Sequence, residues 1–365
     1  MDRDTLHKIL AVAMKAEASD IHLKVNTSIL LRVNGVLQEA KTPPLSGDDT
    51  RAVAAAIVEG AHPPVDLDQI REWDGSYSIN GVGRFRVNIF KQRNSFAVIL
   101  RVIPFQVPTL ETLGLPPVLQ QIASEERGLV IVTGVTGSGK TSTLAALIDY
   151  LNETQHYHIL TIEDPIEYIH KNKKSSMSQR EIGLDTGGFN VALRAALRQD
   201  PDVILVGEMR DTETIDIALK AAETGHLVFS TVHTTDAAKT VGRLISVFPA
   251  QEQNMVRIRL AENLKATISQ RLLTRKGSKG RVAALEILRM TKTLEECIKD
   301  PLRTHEVKDV LEEGRDAYGT QSFDQHLTDL FNRNVIDFET AKSAATNPSD
   351  FERAVLLNTG GKRPD

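Results

Sequence analysis

The chain has 365 residues, 41% apolar and 25% charged, with a formal net charge of −4; these ordinary proportions exclude a fibrous or disordered chain and argue against a strongly basic nucleic-acid coat. A single cysteine, Cys297, excludes an intrachain disulfide and a zinc site built on several thiolates. No apolar run approaches the roughly 18 residues a membrane-crossing helix needs, and the first residues lack a secretory-signal layout, so the expectation is a cytoplasmic protein of two domains with a small appendage.

Residues 2–17 carry Leu6, Ile9, Leu10, Ala13 and Met14 at helical spacing, one apolar face of an amphipathic helix. Two short β-like runs follow at 21–25 and 29–33, then the hairpin signal Asn34-Gly35 and Val36-Leu37. Residues 50–60 read as helix, and strand patterns return over 76–103, with Asn80-Gly81 as a second hairpin signal. Arg84, Phe85, Arg86, Val87, Asn88 and Ile89 alternate polar and apolar side chains, so one face is buried and the other presents Arg84, Arg86 and Asn88. Residues 1–103 are therefore expected to form a small α+β domain with an antiparallel sheet. Pro104, Pro108, Pro116 and Pro117 mark 104–117 as an inter-domain linker, because proline fixes φ and removes a backbone donor.

From 118 to 290 the pattern changes. Apolar runs at 129–132, 159–162, 203–206 and 227–232 alternate with helix-like segments at 141–152, 189–199, 213–223 and 251–270. Buried strands separated by helices predict an α/β domain with a mostly parallel sheet. Residues 291–356 read as helical, with Leu327, Leu330 and Phe331 on one face, and 357–365 as a fraying tail.

Gly134, Val135, Thr136, Gly137, Ser138, Gly139, Lys140 and Thr141 match the eight-position phosphate-loop pattern, between an apolar strand and a helix-forming stretch that continues through Ser142. Glycines let several backbone N–H groups turn toward one anion, at a helix N-terminus that already favours negative charge. Lys140 is the group for the β- and γ-phosphates of ATP, and the Thr141 hydroxyl the ligand for Mg²⁺. Hydrolysis also requires a group that places water in line with the γ-phosphate. The strand 203–206 runs into Gly207 and Glu208; glycine stands where an aspartate is usual, which leaves Glu208 as the water-orienting carboxylate. A second strand ends in Glu163, Asp164 and Pro165, where Glu163 either reaches the metal through water or shares the work of Glu208, the alternative being a turn cap. His233 ends a third strand among Thr231, Thr234 and Thr235 and is read as a group facing the γ-phosphate; His226 fits a core histidine as well as a functional one.

Taken together, these motifs resemble the secretion and type IV pilus motor ATPases. The phosphate loop, the acidic strand end 161–167, the glycine–glutamate pair 207–208 and the histidine-bearing stretch 225–233 occur in that family's order, and 18–23 matches as well. The likeness covers about 5–350 and is nearest to the twitching-motility retraction branch. The assembly and type II secretion branch carries a long N-terminal extension and a four-cysteine zinc loop, neither of which is in this sequence.

The resemblance implies a PAS-like N-terminal domain, a RecA-like ATPase domain and a homohexamer. It further implies Glu208 as catalytic base, Glu163 as its acidic partner, and His226 and His233 as a histidine box. N-terminal arginines that reach nucleotide at a domain or subunit boundary match Arg84, Arg86 and Arg101. Expected partners are an inner-membrane pilus platform protein and a second pilus ATPase, met at the cytoplasmic face of the membrane, with no nucleic acid. The stretch 291–300 departs from the apolar-basic helix of retraction motors, being more acidic. The alternatives at this point are a pilus-assembly or type II secretion ATPase and, from another class, a RecA-like nucleic-acid translocase.

Overall fold

The computed structural model describes residues 1–33, 35–59, 61, 64–103, 106–277 and 280–358. Asn34 of the first hairpin signal, Pro104 of the linker and the tail 359–365 lie outside them. The chain divides into two compact units: Met1–Gln106 with Asp164–Ile169 and Arg180–Gly188, and Val107–Glu163 with His170–Gln179 and Phe189–Asp365.

The first unit holds six strands: β1 (Ala18–Leu23), β2 (Leu30–Val33), β3 (Val36–Glu39), β4 (Glu72–Ile79), β5 (Gly83–Gln92) and β6 (Ser95–Ile103). They form one sheet in the order β3-β2-β1-β6-β5-β4, antiparallel throughout. The alternation expected around Arg84 is present: Phe85, Val87 and Ile89 are fully buried, and Arg86 on the opposite face is exposed. These side chains meet Leu6 and Leu10 of the helix Arg3–Lys15 and Val53 and Ile57 of the helix Gly47–Val58 in one core. The second of those helices starts where it does because of Ser46. Its hydroxyl accepts from the Asp49 N–H, and the Asp49 carboxylate accepts in return from the Ser46 N–H, a reciprocal cap that satisfies two otherwise orphaned donors.

In the second unit the strands are β7 (Gly128–Thr133), β8 (His158–Glu163), β9 (Ser176–Glu181, whose last two residues group with the first unit), β10 (Val203–Val206), β11 (Leu227–Val232), β12 (Leu264–Thr274) and β13 (Arg281–Arg289). Their order is β13-β12-β7-β11-β10-β8-β9. Neighbours from β12 across to β8 run parallel, and β13 is antiparallel to β12. Val130, Val132, Leu205 and Phe229 pack on one face against Leu119 and Ile122 of the helix Val118–Ala123 and Leu144 and Leu147 of the helix Lys140–Thr154. A second cluster joins Val282 and Ala284 of β13 to Phe323, Leu327, Ile336 and Phe338 of the C-terminal helices.

The helix read over 251–270 stops at Asn263 and the chain continues as β12. Leu264, Ala266 and Ile268 alternate along the chain, and Thr267 and Ile268 are β-branched, so the segment suits a strand once an edge is available. The free side of β7 supplies that edge, with Ala266 opposite Val130 and Ile268 opposite Val132. The other expected helices shift by up to three residues at their ends: 50–60 is Gly47–Val58 and 189–199 ends at Ala196.

Candidate active site

Because β7, β11, β10 and β8 run parallel, their carboxyl ends lie along one edge of the sheet, the place where open α/β sheets bind ligands. Four of the sequence-predicted groups emerge there. The phosphate loop leaves β7, His233 follows β11, Glu208 lies two residues past the end of β10, and Glu163 is the last residue of β8.

The loop turns back through glycines with positive φ: Gly134 at 143°, Gly137 at 79° and Gly139 at 89°. At two of them no side chain would fit. A Cβ on Gly134 would stand 2.5 Å from the Gln270 carbonyl oxygen, and one on Gly139 would stand 2.7 Å from Gln270 Nε2. Val135, Thr136 and Gly137 form the exposed crown, whereas Gly134, Ser138 and Lys140 are buried at its base. Lys140 is 8% exposed, and its ammonium donates to the Gly134 and Val135 carbonyls at 2.8 and 3.2 Å, inside the curl of the loop. The helix Lys140–Thr154 starts at the end of this loop, and the N–H groups and dipole of a helix start favour an anion there. Thr141 and Ser142, half-buried, lie in that first turn.

At the end of β10 three strands are tied together. The Gly207 N–H donates to the Ile162 carbonyl at 2.8 Å, and the Thr231 hydroxyl donates to the Gly207 carbonyl at 2.7 Å. A Cβ on Gly207 would approach the Ile162 oxygen to 3.2 Å, which gives a packing reason for glycine where an acidic residue is usual. Glu208 then projects from the edge, and its Oε1 lies 2.6 Å from Arg210 Nε and 3.2 Å from His233 Nε2. Burial pulls the Glu208 carboxyl upward, but Arg210 and His233 outweigh it and hold the group below the usual carboxylate range. It is therefore a carboxylate at neutral pH. Glu163, 8% exposed, accepts from the Thr161 hydroxyl at 2.7 Å and from Gln179 Nε2 at 3.2 Å, so its orientation is fixed from two sides.

Other candidates are placed elsewhere. His226 precedes β11, at the opposite end of that strand from His233, where its Nδ1 lies 2.9 Å from the Ala221 carbonyl and 3.2 Å from the Thr224 hydroxyl. It is not brought to the loop edge of its own sheet. Arg84, in the first unit, is engaged by the buried Glu181 and donates to the Ser76 hydroxyl at 3.1 Å. Arg101 donates to Asp20 at 3.0 Å, and Arg86 is exposed. Arg210 and Gln270 were missed by sequence reasoning. Arg210 had a signal, lying two residues past Glu208 and just before the helix Thr212–Glu223; Gln270 had none, since its stretch read as helix.

A phosphate cradle, a buried lysine, and an ionised carboxylate paired with an imidazole on the same sheet edge form a set able to bind a nucleotide triphosphate and orient water toward it. The family model described as "Type II/IV secretion system protein" matches residues 2–336. The chain is 45% identical over 344 residues, 94% of this chain and 99% of the relative, to the "Type IV pilus retractation ATPase PilT" of Pseudomonas aeruginosa. It is 48% identical over 318 residues, 87% and 84% of the two chains, to the "Twitching motility protein" of Neisseria gonorrhoeae. The crystal structure of "the Pilus Retraction Motor PilT and Bound ADP" superposes with a TM-score of 0.87 at 42% identity, covering 97% of this chain and 99% of that one. This chain belongs to the type II/IV secretion system protein family and, within it, is an ATPase of the PilT type.

Proposed function

We propose that the chain is a ring-forming motor whose ATP hydrolysis drives retraction of a type IV pilus, working against a membrane platform protein at the cytoplasmic face. The observation that carries the chemistry is the Glu208–His233 pair on the sheet edge that bears the phosphate loop. In this reading the loop amides and Lys140 bind the phosphates, Glu208 orients the attacking water, and His233 senses the terminal phosphate through the Glu208 carboxylate. Glu163 acts as the second acidic group.

ATP is the nucleotide, and Mg²⁺ the ion this set suits. Thr141 and Glu163 are the residues that would hold it, Glu163 through water. Among the described residues no three or more His, Cys, Asp or Glu gather into a cage, which fits an ion bound mainly through phosphate and water. When bound, such an ion neutralises charge on the β- and γ-phosphates. Arg84, Arg86 and Arg101 stand as guanidinium groups offered to nucleotide in the assembled ring; Arg86 ranks first because Arg84 and Arg101 are already engaged by carboxylates. The working domain scheme remains 1–103, a linker at 104–117, an ATPase domain at 118–290 and a helical subdomain at 291–356.

Deleting the gene in its host tests the direction of work. Surplus surface pili with loss of twitching are expected of a retraction motor, whereas bald cells would transfer the chain to the assembly branch.

A further inference from the structure

We propose that Gln270 is a positioning residue that fixes the closing turn of the phosphate loop and thereby sets nucleotide affinity. The proposal rests on the reading that this loop binds the nucleotide.

β12 and β7 run side by side, with Ser269 opposite Thr133. The next residue on β12 therefore comes level with the point where the loop leaves β7. Gln270 is 3% exposed there, and its amide makes two hydrogen bonds. Nε2 donates to the Ser138 carbonyl at 2.7 Å, and Oε1 accepts from the Thr143 hydroxyl at 2.9 Å. The amide's orientation is settled by its partners, because a carbonyl oxygen can only accept. One planar group thus spans the residue before Gly139 and the first turn of the helix after it. Those are the two sides of the junction where the loop becomes the helix whose N–H groups face the phosphates.

The junction needs such a tie. Gly134, Gly137 and Gly139 give the loop its curl, but glycine leaves the backbone many alternatives. The loop's preferred shape must then be imposed from outside. The Gln270 side chain does so at the Gly139 turn, where its Nε2 would stand 2.7 Å from a Cβ, while at Gly134 the close neighbour is the backbone carbonyl of β12, which any residue at 270 would present. An amphipathic requirement does not explain a buried amide at this position, since a leucine or methionine would fill the same space; the two bonds do. Because the side chain lies beneath the loop, it acts on the phosphate through the loop's amides, so its loss is expected in binding rather than in the chemical step.

The test is a titration of the full-length protein with a fluorescent N-methylanthraniloyl-ADP, alongside steady-state phosphate release. Gln270→Met keeps the shape and removes both hydrogen bonds. It is expected to raise Kd for the analogue and KM for ATP about tenfold, with kcat reduced by less than about threefold. Thr143→Val removes only the hydroxyl and is expected to raise Kd about two- to fivefold. Unchanged Kd in folded Gln270→Met, or a fall in kcat with KM unchanged, would overturn the proposal. Should Gln270→Met not fold, Thr143→Val decides alone, and wild-type affinity there overturns it. Wild-type protein that takes up no analogue would be a different failure, removing the phosphate-loop reading and the proposal with it.

Discussion

Glu208 shows how local partners set a side chain's role. A carboxyl at a strand end, partly withdrawn from water, tends to keep its proton; Arg210 and His233 reverse that and leave it ionised. An ionised group 3.2 Å from an imidazole can orient water while the imidazole follows the charge beside it. Glu208→Gln keeps the shape and removes the charge. It is expected to bind ATP with near wild-type affinity and to release phosphate slower by about tenfold or more. Full turnover in that variant would move the water-orienting role to Glu163. Arg84 carries the contrasting lesson. Its alternating strand marked it as a solvent-facing guanidinium, yet Glu181, 97 positions along the chain, engages it within the same unit. An ion pair with a buried carboxylate is a structural duty that strand periodicity cannot reveal.

Among the secondary-structure elements, the helix Ala237–Ser246 begins four residues after His233, and its start is held twice. The Asp236 carboxylate accepts from the Lys239 N–H at 2.8 Å, and Glu286 of β13 accepts from the Ala237 N–H at 2.7 Å. Glu286 is 7% exposed; burial pushes its pKa up to about 7, helped by Asp236 and opposed by the Ala237 amide and Arg271. The folded protein therefore keeps this proton up to about pH 7, while an unfolded chain loses it at the ordinary glutamate value, about 4.3. Between those values the folded state binds more protons, so this group's contribution makes stability fall as pH rises, and it levels off above pH 7. His326 works with the opposite sign. Burial pushes its imidazole down to about 4, so its contribution is complete above the ordinary histidine value and is lost as pH falls toward 4. Glu286→Gln isolates the first effect. The melting temperature of the variant minus that of wild type is expected to rise from pH 5 to pH 8 by a few degrees, and a flat difference would refute the buried-proton account. Turns at this scale were partly legible. Asn80-Gly81 signalled the β4–β5 connection, but Arg93 and Asn94, with φ of 48° and 62°, make the β5–β6 connection without a glycine to announce it.

For the whole molecule, the described residues contain no helix long and apolar enough to cross a membrane. The proposed ring is the arrangement that repeats one active site around an axis. Light scattering on the full-length chain with ATP analogue present is expected to give a particle near six times the chain mass of 40.2 kDa. A stable monomer under those conditions would remove the ring from the proposal. In the second unit, β12 has the active-site loop beside Gln270 and the C-terminal helices beside the next residue. There Arg271 donates to the Ala344 carbonyl and lies 3.9 Å over the Phe323 ring. One strand thus serves both the edge that carries the phosphate loop and the C-terminal cluster.

Features that depend on a short stretch of backbone could be read directly from the residues. The glycine spacing of the phosphate loop, the acidic strand ends and the β5 alternation all follow from φ preferences, capping and side-chain period, which act over a few positions. Pairings across the chain could not be read that way. Ser138 and Gln270 are 132 positions apart, Ala237 and Glu286 49, and the segment that carries Gln270 became a strand because β7 offered an unpaired edge. Hydrogen bonding between distant partners is satisfied only after the sheet has assembled, so the group that shapes the phosphate loop belongs to the fold and leaves no mark in its own neighbourhood of the sequence.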